Sequence, residues 1–243
     1  MRILAHRGAH RPESDDVREN TLAAFRLAID VGADGVELDV RRTSDGVLVV
    51  LHDAVLPGGV ALADTHAADL PDWLPTLEAA LIACEGLPLV NVEIKNSPIE
   101  PGFDADQEIA RQVGAALAGR AGILVSSFNL GTLDAFRRAR PDIPTGWLTG
   151  PGWDQLAAVA SAAGGGHAAI NPGEAAVTAE VVDAAHGAAL EVVAWTVNDA
   201  ARMVELAACG VDVLVTDRPV LACATLRGTK MLKLDEHPPI YRA

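Results

Sequence analysis

Short strand-forming runs alternate with helical stretches from one end of this chain to the other, and that alternation constrains the fold more than any other feature. Apolar segments with the character of strands fall at 3–6, 35–43, 89–95, 123–128, 144–149, 167–172, 191–197 and 211–217. Helical stretches lie between and after them, at 21–31, 75–84, 105–119, 130–140, 154–163, 178–189, 199–209 and 219–226. A repeated strand-then-helix order implies a parallel sheet with its helices outside. Eight such units in 243 residues match the count and size of a closed (β/α)8 barrel, a TIM barrel, with 1–243 read as one domain and 229–243 as its C-terminal tail. An open doubly wound sheet is the other architecture for this pattern, but no Gly-x-Gly-x-x-Gly follows the first strand to support a dinucleotide site.

The boundaries carry the expected chemistry. Asn20-Thr21, Thr178 and Asn198-Asp199 are helix N-cap types, and Gly32, Gly86, Gly119, Gly164 and Gly210 stand where helices should stop. Val31-Gly32-Ala33-Asp34 and Cys209-Gly210-Val211-Asp212 echo each other before the second and eighth strands, which reads as a shared helix-to-strand turn. The second strand departs from the repeat. A turn at Ser44-Asp45-Gly46 and a return strand at 47–51 predict a small β-hairpin and insertion after strand two, with His52 and Asp53 delivered at its end. The longest irregular stretches are 9–19, 54–73 and the tail. The first two fall over the C-terminal rim, where this architecture carries its chemistry.

On the second strand Glu37 and Asp39 are two residues apart and share a face, while Val36, Leu38 and Val40 point the other way. Paired carboxylates repel, so a buried pair calls for a cation, whereas a half-exposed strand would leave a solvated acidic face. Polar residues also gather at the other strand ends: His6-Arg7-Gly8, Glu93 with Lys95, Ser126-Ser127-Phe128, Asn171, Trp195-Thr196 and Thr216-Asp217. Glu37, Asp39 and Glu93 on two adjacent strands form an oxygen-only ligand set suited to one hard divalent cation, Mg²⁺ or Ca²⁺, rather than Zn²⁺. His6 and His52 could flank that ion, and Arg7 with Lys95 could hold an anion. Acid, base, metal and phosphate clamp are together the components of phosphoester hydrolysis. Plainer readings stand beside these: Glu93 and Lys95 as a salt bridge, Phe128 and Trp195 as lids on the core rather than a substrate wall.

The ordered set of motifs resembles the glycerophosphodiester phosphodiesterase family. It comprises His6-Arg7-Gly8, Glu19-Asn20-Thr21, Glu37-Leu38-Asp39-Val40, His52-Asp53, Pro75-Thr76-Leu77-Glu78, Glu93-Ile94-Lys95, Ser127-Phe128, Trp195-Thr196-Val197-Asn198 and Thr216-Asp217-Arg218-Pro219. The resemblance implies a (β/α)8 barrel that hydrolyses small-molecule glycerophosphodiesters to an alcohol and glycerol 3-phosphate. It further implies His6 and His52 as the acid/base pair, Glu37, Asp39 and Glu93 as ligands of a divalent metal (Mg²⁺ or Ca²⁺, with Mn²⁺ as a third candidate), and Arg7 and Lys95 as phosphate contacts. Glu19 then reads as a support for Arg7, and Asp217 as a support behind the reacting groups. Departures fall in the loops: Arg18 stands where the family commonly has Pro, the 9–18 loop is longer and more charged, and no Arg-Thr-Thr run follows His52-Asp53. These bear on the alcohol, which the sequence does not name. A lyase of the phospholipase D type, releasing a cyclic phosphate, and a non-catalytic barrel used as a binding module are the alternatives.

A formal net charge of −14 argues against a sequence-independent nucleic-acid or anionic-membrane binder. No apolar run reaches the roughly 20 residues of a membrane span. MRILAHRG carries no secretion pattern, so a cytoplasmic location without a stable membrane anchor is expected. Cys84, Cys209 and Cys223 read as small buried hydrophobes, and His10, His66, His167, His186 and His237 have no matched context.

Overall fold

The longest strand, β2 (Gly35–Arg42), carries three neighbours. Along one edge its first residues meet β1 (Arg2–Ala5) in parallel, with Leu4 opposite Gly35 and Ala5 opposite Val36. Farther along that edge its last three residues meet β3 (Leu48–Val50) antiparallel, with Val40 opposite Val50. Its other edge pairs throughout with β4 (Leu89–Ile94). Next come β5 (Ile123–Ser127), β6 (Thr145–Thr149), β7 (Ala169–Pro172), β8 (Glu191–Ala194) and β9 (Val213–Thr216), each parallel to the last, and β9 pairs with β1. Eight parallel strands therefore close into a TIM barrel, and β3 stands outside the ring as the return arm of the expected hairpin. This computed structural model describes residues 1–10 and 17–228; residues 11–16 of the first loop and the tail 229–243 with His237 lie outside the described residues.

The helices are α1 (Leu22–Asp30), α2 (Leu77–Ala83), α3 (Glu108–Ala116), α4 (Leu130–Ala139), α5 (Gln155–Gly165), α6 (Ala179–Gly187), α7 (Ala200–Ala208) and α8 (Pro219–Arg227). Thr21, Thr178 and Asp199 cap α1, α6 and α7 as expected, each side chain accepting from a backbone N–H three residues on. The echoed turn is also real. Asp34 Oδ2 accepts from Ile3 N at 2.7 Å and Asp212 Oδ2 from Val192 N at 2.8 Å, so each aspartate ties the start of its own strand to the strand beside it. Among the described residues no helix is long and apolar enough to cross a membrane.

Element boundaries shift from expectation by up to three residues, and three of the shifts have local causes or consequences. α3 starts at Glu108 rather than 105 because Gln107 sits at φ 60°, a left-handed conformation that cannot continue a helical turn. α5 runs through Gly164 and stops at Gly166, which takes φ 72°. The strand expected at 191–197 ends at Ala194.

Alternation along the strands divides the apolar residues into two layers. Val36, Leu38 and Val40 face outward and pack with Phe25, Leu77 and Leu81 of the helices. Leu4, Leu89, Leu124, Ala169, Val193, Val213 and Val215 form a separate cluster inside the barrel, beneath the C-terminal rim. Gly35 sits where this inner layer leaves no room: a Cβ there would overlap the Leu89 carbonyl oxygen and meet Leu4 Cδ2 at 2.7 Å. Gly164 is the opposite case, exposed on α5 with nothing within 4 Å of a built Cβ. Urea denaturation should show Gly35→Ala losing about 3 kcal/mol and Gly164→Ala gaining about 0.4–1 kcal/mol. Equal effects at the two glycines would contradict this packing.

Candidate active site

Glu37 and Asp39 of β2 and Glu93 of β4 point into the barrel mouth, where strand register sets Asp39 directly opposite Glu93. The three carboxylates offer ligand atoms all within 4.8 Å of one another. They are 4%, 1% and 7% exposed, so water does little to screen their repulsion. Lys95 answers part of it, with Nζ 3.0 Å from Asp39 Oδ1 and 2.7 Å from Glu93 Oε1. Arg7 Nε lies 3.4 Å from Asp39 Oδ2, and Asn20 Nδ2 donates to that same oxygen at 2.7 Å.

The cluster still holds more negative charge than these cations balance. Burial and the neighbouring Asp39 charge push the Glu37 pKa up to about 8. Burial also opposes ionisation of Asp39, but Lys95 and Arg7 hold its pKa at about 2. Burial raises Glu93 as well, against the pull of Lys95. Glu37 Oε1 has no protein partner among the described residues, while Asp39 Oδ1 and Glu93 Oε1 meet the Lys95 ammonium only as ion pairs without hydrogen-bond alignment. Converging buried carboxylate oxygens, one of them unpartnered, fit a hard divalent cation.

Two histidines approach this cluster from different elements. His6 follows β1, and the chain then turns through Arg7 at φ 54° and Gly8 at φ 81°. A Cβ on Gly8 would stand 2.7 Å from the Ala24 Cβ, so the turn packs directly on α1. The Arg7 N–H donates to Glu37 Oε2 at 3.1 Å. His6 Nδ1 is 2.6 Å from Asp217 Oδ1, and Nε2 is 3.9 Å from Glu37 Oε2. Burial alone would lower the His6 pKa, but the Asp217 hydrogen bond and the Glu37 charge outweigh it and hold the ring above its ordinary value.

His52 arrives on the return arm, where Arg41 Nε donates to its carbonyl oxygen at 2.8 Å and its Nδ1 is 2.8 Å from Asp53 Oδ1. Burial and the Lys95 charge lower its pKa. The two rings are thus biased toward opposite protonation states.

His6, Arg7, Glu37, His52, Glu93 and Lys95 share the lining of a cavity of about 280 Å³. Asp39 sits behind that lining, paired to Lys95 and Arg7. Phe128 and Trp195 form one wall, with ring centroids 5.4 Å apart in an edge-to-face contact. Trp195 is pinned by its Nε1 hydrogen bond to Asn171 O at 2.8 Å. Both therefore border the cavity, and Trp195 also packs on the inner apolar cluster. Glu19 pairs with Arg7 at 2.9 Å, and Asp217 stands behind His6.

Sequence reasoning missed Asn91, the hold of Asn20 on Asp39, and the hold of Arg41 on His52. Asn91 was accessible, because it precedes Glu93 by two residues on an inward-facing run. The Asn20 and Arg41 contacts span 19 and 11 residues, and no local period encodes them.

The sequence model of the Glycerophosphoryl diester phosphodiesterase family matches residues 6–221. A Bacillus subtilis (strain 168) protein provisionally named a glycerophosphodiester phosphodiesterase is 31% identical, covering 90% of this chain and 95% of its own length. A Bacillus altitudinis glycerophosphodiester phosphodiesterase is also 31% identical, over 90% of this chain and 95% of its own. The crystal structure of a provisionally assigned glycerophosphoryl diester phosphodiesterase from Silicibacter pomeroyi DSS-3 superposes with a TM-score of 0.82 at 27% identity, covering 94% of this chain and 93% of that one.

Because Glu37 keeps its proton up to about pH 8, a cation entering the cluster must displace it. Affinity for Mg²⁺ or Mn²⁺ measured by calorimetry should rise roughly tenfold per pH unit between pH 6 and 8, level off above, and release about one proton. Glu37→Gln should weaken binding and flatten that dependence; a pH-independent wild-type affinity would refute the coupling.

Proposed function

The chain belongs to the glycerophosphoryl diester phosphodiesterase family, and on that premise we propose that it hydrolyses glycerophosphodiesters to an alcohol and sn-glycerol 3-phosphate. The observation that carries the reading is a buried cluster of three carboxylates set between two histidines whose surroundings drive their pKa values apart. Glu37, Asp39 and Glu93 would hold one divalent cation, Mg²⁺, Ca²⁺ or Mn²⁺, which when bound neutralises charge on the phosphoryl oxygens. Arg7 and Lys95 add fixed positive charge at the same mouth, where low dielectric strengthens it.

The histidines divide the proton transfers. His52 is biased toward its neutral form. With Nδ1–H turned to Asp53, its bare Nε2 is an acceptor, the form of a general base. His6 is biased toward its charged form. With Nδ1 held by Asp217, its Nε2–H is free to donate to a leaving oxygen.

The nucleophile is supplied by the substrate. The glycerol 2-hydroxyl lies next to the phosphorus, and neighbouring attack has effective molarities of about 10⁵ M or more when well oriented. His52 takes its proton, oxygen bonds to phosphorus to close a five-membered cyclic phosphate, and the departing alcohol oxygen takes the His6 proton. Water then opens the ring with the two roles reversed, which returns both histidines to their starting states.

Two measurements check this scheme. His6→Ala and His52→Ala should each lower turnover by about 10² to 10⁴-fold, and an aryl leaving group, which needs no proton, should rescue His6→Ala alone. Equal rescue of both variants would dissolve the division of roles. A glycerophosphodiester with hydrogen in place of the 2-hydroxyl should bind yet fail to turn over; turnover within a few-fold of the parent would instead mean direct attack by water.

A further inference from the structure

The inner surface of the barrel changes character above its apolar plug. Where Leu148, Val193 and Val215 line the cavity with carbon, Asn91 of β4 and Asn171 of β7 line it with amides. Asn91 is 2% exposed and its Oδ1 has no hydrogen-bond partner among the described residues; Asn171 is fully buried and neither its Oδ1 nor its Nδ2 has one among them. Exchanging the amide oxygen and nitrogen of Asn171 cures nothing, since both positions are unpaired. The placement is built into the fold. Gly146 of β6 leaves room for the Asn171 amide, which any side chain at 146 would displace, and the Asn171 carbonyl holds the Trp195 wall. A barrel that only had to fold would favour aliphatic side chains here, because a buried amide without a partner destabilises it.

We infer that Asn91 and Asn171 bind the hydroxyl groups of the glycerol arm and so set the preference for glycerophosphodiesters over other phosphodiesters. The inference rests on the substrate class proposed above. A hydroxyl both donates and accepts, and an amide offers the complement of each. A phosphoryl oxygen only accepts, and the cationic Arg7 and Lys95 serve it. The aliphatic residues between the amides suit the carbon backbone of a small polyol.

The other arm has its own space. A second cavity of about 380 Å³, walled by Ser97, Pro98, Glu100 and Asn129, shares His52, Glu93, Lys95 and Phe128 with the first. The shared residues surround the reacting phosphorus, the glycerol arm lies over the amides, and the leaving alcohol runs out between the loops after β4 and β5.

The test uses the full chain with Mg²⁺ and the variants Asn91→Ala and Asn171→Ala, which remove the amides without adding bulk. Each should lose about 10- to 100-fold in kcat/KM on glycerophosphocholine, with matching weakening of inhibition by glycerol 3-phosphate. Inhibition by inorganic phosphate and Tm should stay near wild type, the former within about threefold. A parallel weakening of inhibition by glycerol 3-phosphate and by inorganic phosphate, or an unchanged kcat/KM on glycerophosphocholine, overturns the inference.

The unaltered protein gives an independent reading should the variants fold poorly. The phosphate esters 3-hydroxypropyl phosphate and 2-hydroxypropyl phosphate each lack one hydroxyl of glycerol 3-phosphate and should inhibit about tenfold less well. Equal inhibition by all three refutes hydroxyl recognition. A wild type that does not turn over glycerophosphocholine, and that glycerol 3-phosphate inhibits no better than phosphate, removes the proposed substrate class itself and the inference with it. That result is distinct from an active wild type whose turnover of glycerophosphocholine and inhibition by glycerol 3-phosphate the alanine variants retain.

Discussion

Mutual repulsion of buried carboxylates is the constraint around which this protein is arranged. Glu37, Asp39 and Glu93 converge within 4.8 Å where little water reaches them. Their charge is balanced locally by Lys95, Arg7 and the amide of Asn20, and partly by retention of a proton on Glu37. A scaffold selected for stability alone would not collect like charges in this way, because each unpaired buried charge weakens the fold. The same unsatisfied field suits the site to a hard divalent cation.

Barrel geometry makes the arrangement sustainable. Inward and outward positions alternate along every strand, so β2 can give its outward valines and leucine to the helices and its inward acids to the mouth. The apolar plug of Leu4, Leu89, Leu124 and their neighbours supports the site from below. The length of β2 serves a second purpose. Its first half closes the ring with β1, and its second half, extending past β1, anchors the arm that carries His52 over the mouth.

The environments of the two histidines show how placement alone differentiates one side chain. His6 lies deep, between Asp217 and Glu37, and is held toward its charged form. His52 lies nearer solvent and close to Lys95, and is held toward its neutral form. The residues that create this contrast come from β2, the position just after β4 and the turn after β9, far apart in the chain.

Local periodicity was enough to determine the strand-helix alternation, the barrel, the hairpin at Asp45-Gly46 and the shared face of Glu37 and Asp39, because each depends on spacings of a few residues. The strand-end motifs were legible for the same reason, whereas the pairing of Glu19 with Arg7, 12 residues apart, was implied by the family resemblance alone. Local signals failed where a single backbone conformation decided the outcome, as at Gln107 and Gly166, which set the ends of α3 and α5. They failed again where function depends on contacts across the barrel. The grip of Arg41 on His52, the orientation of Asp39 by Asn20, the opposite bias of the histidines and the unpaired amides of Asn91 and Asn171 all arise from closing the sheet. Burial, field and hydrogen-bond satisfaction belong to the assembled volume rather than to any segment, so the sequence determined which groups reach the rim, and only the tertiary structure decided what each experiences there.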